Sequence, residues 1–315
     1  MQTVTARPRA QDTLRSNLWK HRAHILMCLP AFLVILLFSY VPMAGLVLAF
    51  KKLDYSKSIF TSDWCGLSNF KYLFLSGTTF VRITRNTLIY FVLFTVTGIV
   101  GSVAMALGID QMKHRGLAKT FQSVCVVPIF VSFVAVSHIA YAFLSTDQGL
   151  INNILRTLGG KGVRWYLTAE NWWVILTVVK TWNSVGYGSI LYYSVLTGID
   201  ASLYEAASID GANKWQQVWK ISIPMLMPTI TIMLLLSVGN IMHSDTGLFY
   251  QVTKNSGSLY ETTQVLDSYI LNAIQKSSDF GTVAAATFYQ SIVGLVLLLA
   301  ANFAVRKLEP DNALL

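Results

Sequence analysis

Six long apolar runs set the limits on what this chain can become. They cover residues 25–50, 86–109, 120–144, 171–196, 221–242 and 283–305. Each is near or above the roughly 20 residues that a helix needs to cross the hydrocarbon of a bilayer. In lipid every backbone N–H and C=O must be satisfied within the segment, so runs of this length read as helices. The chain is 54% hydrophobic and only 12% charged over 315 residues, with a mean hydropathy of +0.52. That balance excludes an ordinary soluble domain. The expected fold is an all-α integral membrane protein with six transmembrane helices, a segment 1–24 before them and a tail 306–315 after them.

Charge supports the same picture. The net charge is +9, with Lys and Arg gathered in short stretches between the apolar runs, where they set topology rather than bind nucleic acid. With the N-terminus inside, inner segments carry twelve Lys and Arg and outer ones eleven. The totals decide nothing, but the inner segments are shorter and therefore denser in charge, which favours both termini in the cytoplasm. The first run, at 26 residues, exceeds the about 7–15 of a cleavable leader and reads as a retained span. Cys28, Cys65 and Cys125 have no metal-ligand spacing and do not form a disulfide framework. Trp64, Trp165, Trp172 and Trp173 read as an interfacial belt.

Residues 200–224, "DASLYEAASIDGANKWQQVWKISIP", separate the fourth and fifth runs. Residues 205–210 favour a short helix, with Ser202 as its cap and Glu205 three positions on. Gly211 suits the left-handed turn that ends a helix. Asn213 can start a second short helix over 214–220, and Pro224 stands near the start of the next span. Two short helices joined at a glycine make a shape fit for docking into a partner.

Here the sequence resembles a family. "EAASIDGA", eight residues, then "ISIP" is similar to the EAA motif of permease subunits in bacterial binding-protein-dependent ABC importers. Glu205, Ala206, Ala207, Asp210, Gly211, Ala212, Ile221 and Pro224 match it position by position, and Ile223 replaces the more usual Leu. "LPAFLVILLFSYVPMAGLVLAF", "GLSNFKYLF" and "DFGTVAAATFYQSIVGLVLLLAANF" resemble the carbohydrate-uptake branch, especially permeases for oligo- and polysaccharides such as alginate. The resemblance implies a type I importer permease fold in the bacterial inner membrane. It also implies a second permease, usually a different chain, two cytoplasmic ATPases and an extracytoplasmic solute-binding protein. In that family the EAA loop is the coupling element facing the ATPase. This chain has no G-x-x-x-x-G-K-[ST] phosphate loop, so ATP and magnesium are expected on the ATPase partner and no cofactor or enzymatic activity on this chain.

The fourth run carries a charge, Lys180, near mid-span. An ammonium there costs about 2.5–3.5 kcal/mol on insertion scales and marks either a pathway or a partner. Positions i, i+3, i+4 and i+7 share a helix face, which gives Lys180, Asn183, Ser184 and Tyr187 as one polar stripe. Ser237, Asn240 and Ser244 form a shorter stripe near the end of the fifth run, with His243 and Asp245 beyond it. Gly186 and Gly188 permit close approach of a helix or a ligand. Aligned on the EAA motif, the sugar-contacting positions of the maltose-type permeases fall on Lys180, Asn183, Ser184, Tyr187, Ser237, Ile241 and Ser244. Tyr187 and Ser237 keep the family residue; Lys180 and Ile241 replace amides. A Lys on that stripe points to an acidic, alginate-like oligosaccharide, with a neutral oligosaccharide as the alternative. Lys180 can equally pair with an acid of the second permease or with Asp245. A secondary transporter would carry internal repeats and membrane acids, and neither is evident.

Overall fold

The computed structural model describes residues 22–54, 56–59, 61–75, 77–276 and 280–308. The expected segment 1–24 lies almost wholly, and the tail 306–315 mostly, outside them. Helices dominate, and the described residues contain no strand beyond an isolated bridge between Lys51 and Trp64. Among the described residues four helices are long and apolar enough to cross a membrane: α1 (Arg22–Phe50), α3 (Thr78–Asp110), α9 (Lys214–Val238) and α11 (Phe280–Leu308). The shorter helices between them are α2 (Ser68–Leu75), α4 (Arg115–Val126), α5 (Phe133–Leu144), α6 (Leu150–Thr157), α8 (Ala201–Ile209) and α10 (Leu266–Lys276). The remaining long helix, α7 (Trp172–Thr197), has 26 residues. It spans about 39 Å at 1.5 Å per residue, but its polar stripe keeps it outside that apolar set.

The third expected span is not straight. Helix α4 passes through a 3-10 turn, Val127–Phe130, and the chain then bends by 99° into α5. Pro128 lies in that turn, and Val131 and Ser132 are extended, so the helical hydrogen-bond ladder stops there. The Ser132 hydroxyl restarts it by accepting from the Ala135 N–H at 3.4 Å. The fifth expected span, 221–242, begins earlier and ends earlier, because the loop helix at Lys214 runs directly into it and residues 239–242 form a turn. The second begins eight residues before Asn86, at Thr78. Wider π turns occupy Leu36–Tyr40 and Val218–Ser222. Each lies just before a proline, Pro42 or Pro224, whose ring would clash with a carbonyl one turn back in a regular α-helix.

Packing centres on the parallel pair α3 and α7. Small residues let their backbones close up, as membrane helices do where lipid gives no hydrophobic drive. A Cβ on Gly188 would stand 2.4 Å from Ser102 Oγ, and one on Gly101 2.8 Å from Val185. Thr181 donates to Thr97 at 3.0 Å across the same seam. Helix α4 presses on α7 from another side, where a Cβ on Gly186 would meet the Cys125 carbonyl at 1.7 Å. Both glycines therefore admit a helix. Away from the loop 200–224, residues 248–265 cover the ends of α3, α5 and α7, burying Tyr90, Trp172, Leu248, Phe249 and Val252 together. Trp172 is fully buried there and donates to the Trp165 carbonyl at 2.7 Å; it is a core residue, not part of an interfacial belt. Phe50, Phe70 and Phe288 tie the end of α1 to α2 and α11. Every residue from 22 to 44 of α1 is exposed.

Candidate functional site: an open cavity and an exposed loop helix

A cavity of about 890 Å³ opens between α3, α7 and α9. Four of the eight residues singled out on the two stripes line it: Ser184 and Tyr187 from α7, Ser237 from α9, and Asn240 just beyond α9. Helix α3 supplies the facing wall through Thr95, Gly98 and Ser102, residues the stripe argument did not reach. Their signal is the run of small and hydroxyl residues in "TVTGIVGS". No charged side chain among the described residues lines the cavity. Ser184 donates to the Lys180 carbonyl at 2.9 Å and Ser237 to the Met233 carbonyl at 2.8 Å. A hydroxyl whose single hydrogen is spent still accepts, so both can accept a hydrogen bond from a ligand hydroxyl. Tyr187 is 58% exposed and offers an apolar ring face beside them.

The other four residues do different work. Lys180 lies one turn from Ser184, on the side away from the loop 200–224, and its ammonium donates to Asp245 Oδ2 at 3.0 Å. The two side chains are 27% and 31% exposed, so the pair is neither fully enclosed by this chain nor open on all sides. Asp245 Oδ1 also accepts from the Leu248 N–H at 3.4 Å, which fixes the carboxylate at the start of the next helical turn. Asn183 is buried and donates to the Pro128 carbonyl at 2.7 Å. It adds a second bond to a carbonyl at the break in the third span that also accepts from the Val131 N–H at 3.1 Å. Ile241 packs with Met242 and Leu266 in an apolar cluster. The Ser244 N–H donates to Asp267, which also accepts from Gln290 at 2.9 Å and stands 3.8 Å from His243 Nδ1. Asp267 and Gln290 give no sequence signal, since helix α10 and helix α11 bring them in from remote positions. The described residues hold no group of three or more His, Cys, Asp or Glu placed to bind a metal.

The loop 200–224 folds as two helices about a glycine. The first cap is Asp200 rather than Ser202: its carboxylate accepts from the Ser202 N–H at 2.9 Å. That bond, and a second from the Ser202 hydroxyl, hold the Asp200 carboxyl below its ordinary 3.8. Gly211 has φ +81°, a left-handed value that suits glycine. Around it, Ala212 N–H donates to the Ala207 carbonyl at 2.8 Å and Asp210 N–H to the Ala206 carbonyl at 3.0 Å. Asn213 and Gln216 close a reciprocal capping box. The second helix is continuous with α9 instead of separate from it. Glu205, Ala206 and Asp210 are exposed, Ala207 and Ala212 half-buried, and Ile209 is 87% exposed. A nearly bare isoleucine beside a carboxylate is an unpartnered face.

The sequence profile described as "Binding-protein-dependent transport system inner membrane component" matches residues 14–311. The polygalacturonan/rhamnogalacturonan transport system permease protein YteP of Bacillus subtilis is 31% identical over 288 residues, covering 91% of this chain and 88% of its own. The lactose transport system permease protein LacF of Rhizobium radiobacter is 31% identical over 225 residues, 70% of this chain and 73% of its own. Among solved structures, a bacterial alginate ABC transporter in complex with an alginate pentasaccharide-bound periplasmic protein superposes with a TM-score of 0.84. It shares 29% identity over 94% of this chain and 98% of its own.

Proposed function

Because the chain belongs to the binding-protein-dependent transport system inner membrane component family and is a carbohydrate ABC importer permease of type I fold, we propose that it carries an acidic, alginate-like oligosaccharide into the cytoplasm. The observation that carries this reading is the cavity between α3, α7 and α9, whose mostly apolar wall is set with hydroxyls, an amide and the Tyr187 ring. Ser184, Ser237 and Asn240 take sugar hydroxyls and Tyr187 stacks on a pyranose face. Lys180, one turn beyond the cavity and partly exposed, meets carboxylates as they pass. Support for an acidic cargo comes from the polygalacturonan permease and the alginate transporter among the relatives.

The rest of the reading follows the family. Helix α8, with Glu205, Ala206, Ala207, Asp210, Gly211 and Ala212, docks on one of two ATPase subunits, which hold ATP and magnesium. The termini lie in the cytoplasm beside it. A second permease, a different chain, closes the open side of the cavity and covers α1, and a solute-binding protein delivers cargo to the opposite face. A neutral oligosaccharide is the second reading, favoured by the Lys180–Asp245 pair and the uncharged cavity lining. Proteoliposomes holding the complete transporter decide between them. Vanadate-sensitive uptake of a uronate oligomer, with no uptake of a neutral oligomer of equal length, is expected. Neutral cargo moving equally well would refute the acidic assignment.

A further inference from the structure

A glycine with φ +81° and open space around its missing Cβ would by itself make α8 a loosely swivelling paddle. Gln217 is only 3% exposed in a loop whose other residues mostly face outward. Its Nε2 donates to Ser208 Oγ at 2.8 Å and lies 3.5 Å from the Tyr204 carbonyl and 3.4 Å from the Ala212 carbonyl. Its Oε1 accepts from Lys214 at 3.3 Å. One side chain thus grips α8, the turn after Gly211 and the start of α9. A second bond runs in parallel: the Tyr204 hydroxyl lies 2.9 Å from Ser222 Oγ, and Ser222 is fully buried at the end of the π turn. Swinging α8 away would strand a buried amide and a buried hydroxyl, each costly to leave unpaired.

We propose that Gln217 is the positioning residue of the coupling step: it locks α8 to α9, so that a push on α8 moves the α9 wall of the cavity as one rigid lever. The proposal rests on the reading of α8 as the ATPase-docking helix. The lever ends near Ser237 and Asn240, at the other end of α9, so a displacement at the docking face travels to the cavity along one helix, through the π turn and past Pro224 and Pro228.

The test uses the complete transporter, with its ATPases and loaded binding protein, in proteoliposomes. Gln217→Leu keeps the volume and removes the hydrogen bonds. The ATPase subunits are expected to co-purify as before, while solute moved per ATP falls about tenfold, equivalent to about 1.4 kcal/mol of lost coupling. Spin labels at Ser202→Cys and Trp219→Cys, in a background without the native cysteines, should show a distance distribution that broadens with Gln217→Leu. An unchanged ratio with an unchanged distribution overturns the lock. Should Gln217→Leu fail to reach the membrane, Tyr204→Phe replaces it; a fall of about threefold, about 0.7 kcal/mol, is expected, and no change overturns the lock equally. Ile209→Asp examines the underlying reading separately. ATPases that stay bound to that variant refute docking at α8, whereas the label distances still judge the lock.

Discussion

Breaking the Lys180–Asp245 pair from either side should separate its structural from its transport role. Removing one member of a fully buried ion pair costs about 3–5 kcal/mol, because the survivor is left charged and unpaired. An exposed pair is worth about 0–1 kcal/mol. With a contact of 3.0 Å and side chains 27% and 31% exposed, this pair falls between, and we expect roughly 1–2 kcal/mol for Lys180→Met or Asp245→Asn alone. The double variant, which strands no charge, should recover most of that, giving a coupling of similar size in a double-mutant cycle. Melting temperatures of the detergent-purified complex measure it. Strictly additive losses would show that the contact carries no energy. Uptake supplies the second axis. If Lys180 meets carboxylates, Lys180→Met and the double variant both lose uronate uptake while Asp245→Asn keeps it. A double variant that imports acidic cargo normally would leave Lys180 with a structural task alone.

Gly186→Ala should be poorly tolerated, since its Cβ would sit 1.7 Å from the Cys125 carbonyl oxygen and overpacking costs typically 1–3 kcal/mol. Gly108→Ala, with nothing within 4 Å, should be neutral or stabilising in the same thermal assay; equal behaviour of the two would refute the close approach of α4 and α7. Asn183→Leu removes one of two hydrogen bonds to the Pro128 carbonyl, which keeps the Val131 N–H at 3.1 Å, and should cost about 0.5–1.5 kcal/mol, read as a lower melting temperature that Asn183→Gln does not rescue, because its longer side chain overfills the site. Gly211→Val forces a β-branched residue into left-handed backbone, costing at least about 1–2 kcal/mol; transport should uncouple from ATP hydrolysis, and full coupling would defeat the docking reading. The Asp200 cap is held by a carboxyl lowered below 3.8. Its contribution is therefore complete above that value and is lost as pH falls through the lower folded-state value, so Ser202 amide protection from exchange should persist at pH 4 and vanish in stronger acid.

Where the chain announces its own structure, it does so through local chemistry. Gly211 after "EAASID" and Asn213 three residues before Gln216 specify a left-handed turn and a capping box, and both form. Ser202 was the less apt cap because Asp200, two residues earlier, places a charged acceptor on the Ser202 N–H and starts the helix at Ala201. The polar stripe on α7 was legible as a stripe but not as a site. Successive helix positions diverge by about 100°, so Asn183 and Ser184 part company, one turning to the Pro128 carbonyl and the other to the cavity. Hydropathy counts residues without direction, which is why 120–144 read as one span when Pro128 and Ser132 bend it by 99°. Partners such as Asp267 and Gln290 meet through tertiary packing, and no periodicity encodes that.

In α1 the residues from 22 to 44 are all exposed. None of the buried apolar clusters described above draws on them. In a bilayer that surface meets acyl tails and any protein that stands across from it. Errors written into that stretch would pass silently through any trial of the isolated subunit, and would surface only when the finished assembly is asked to stay together.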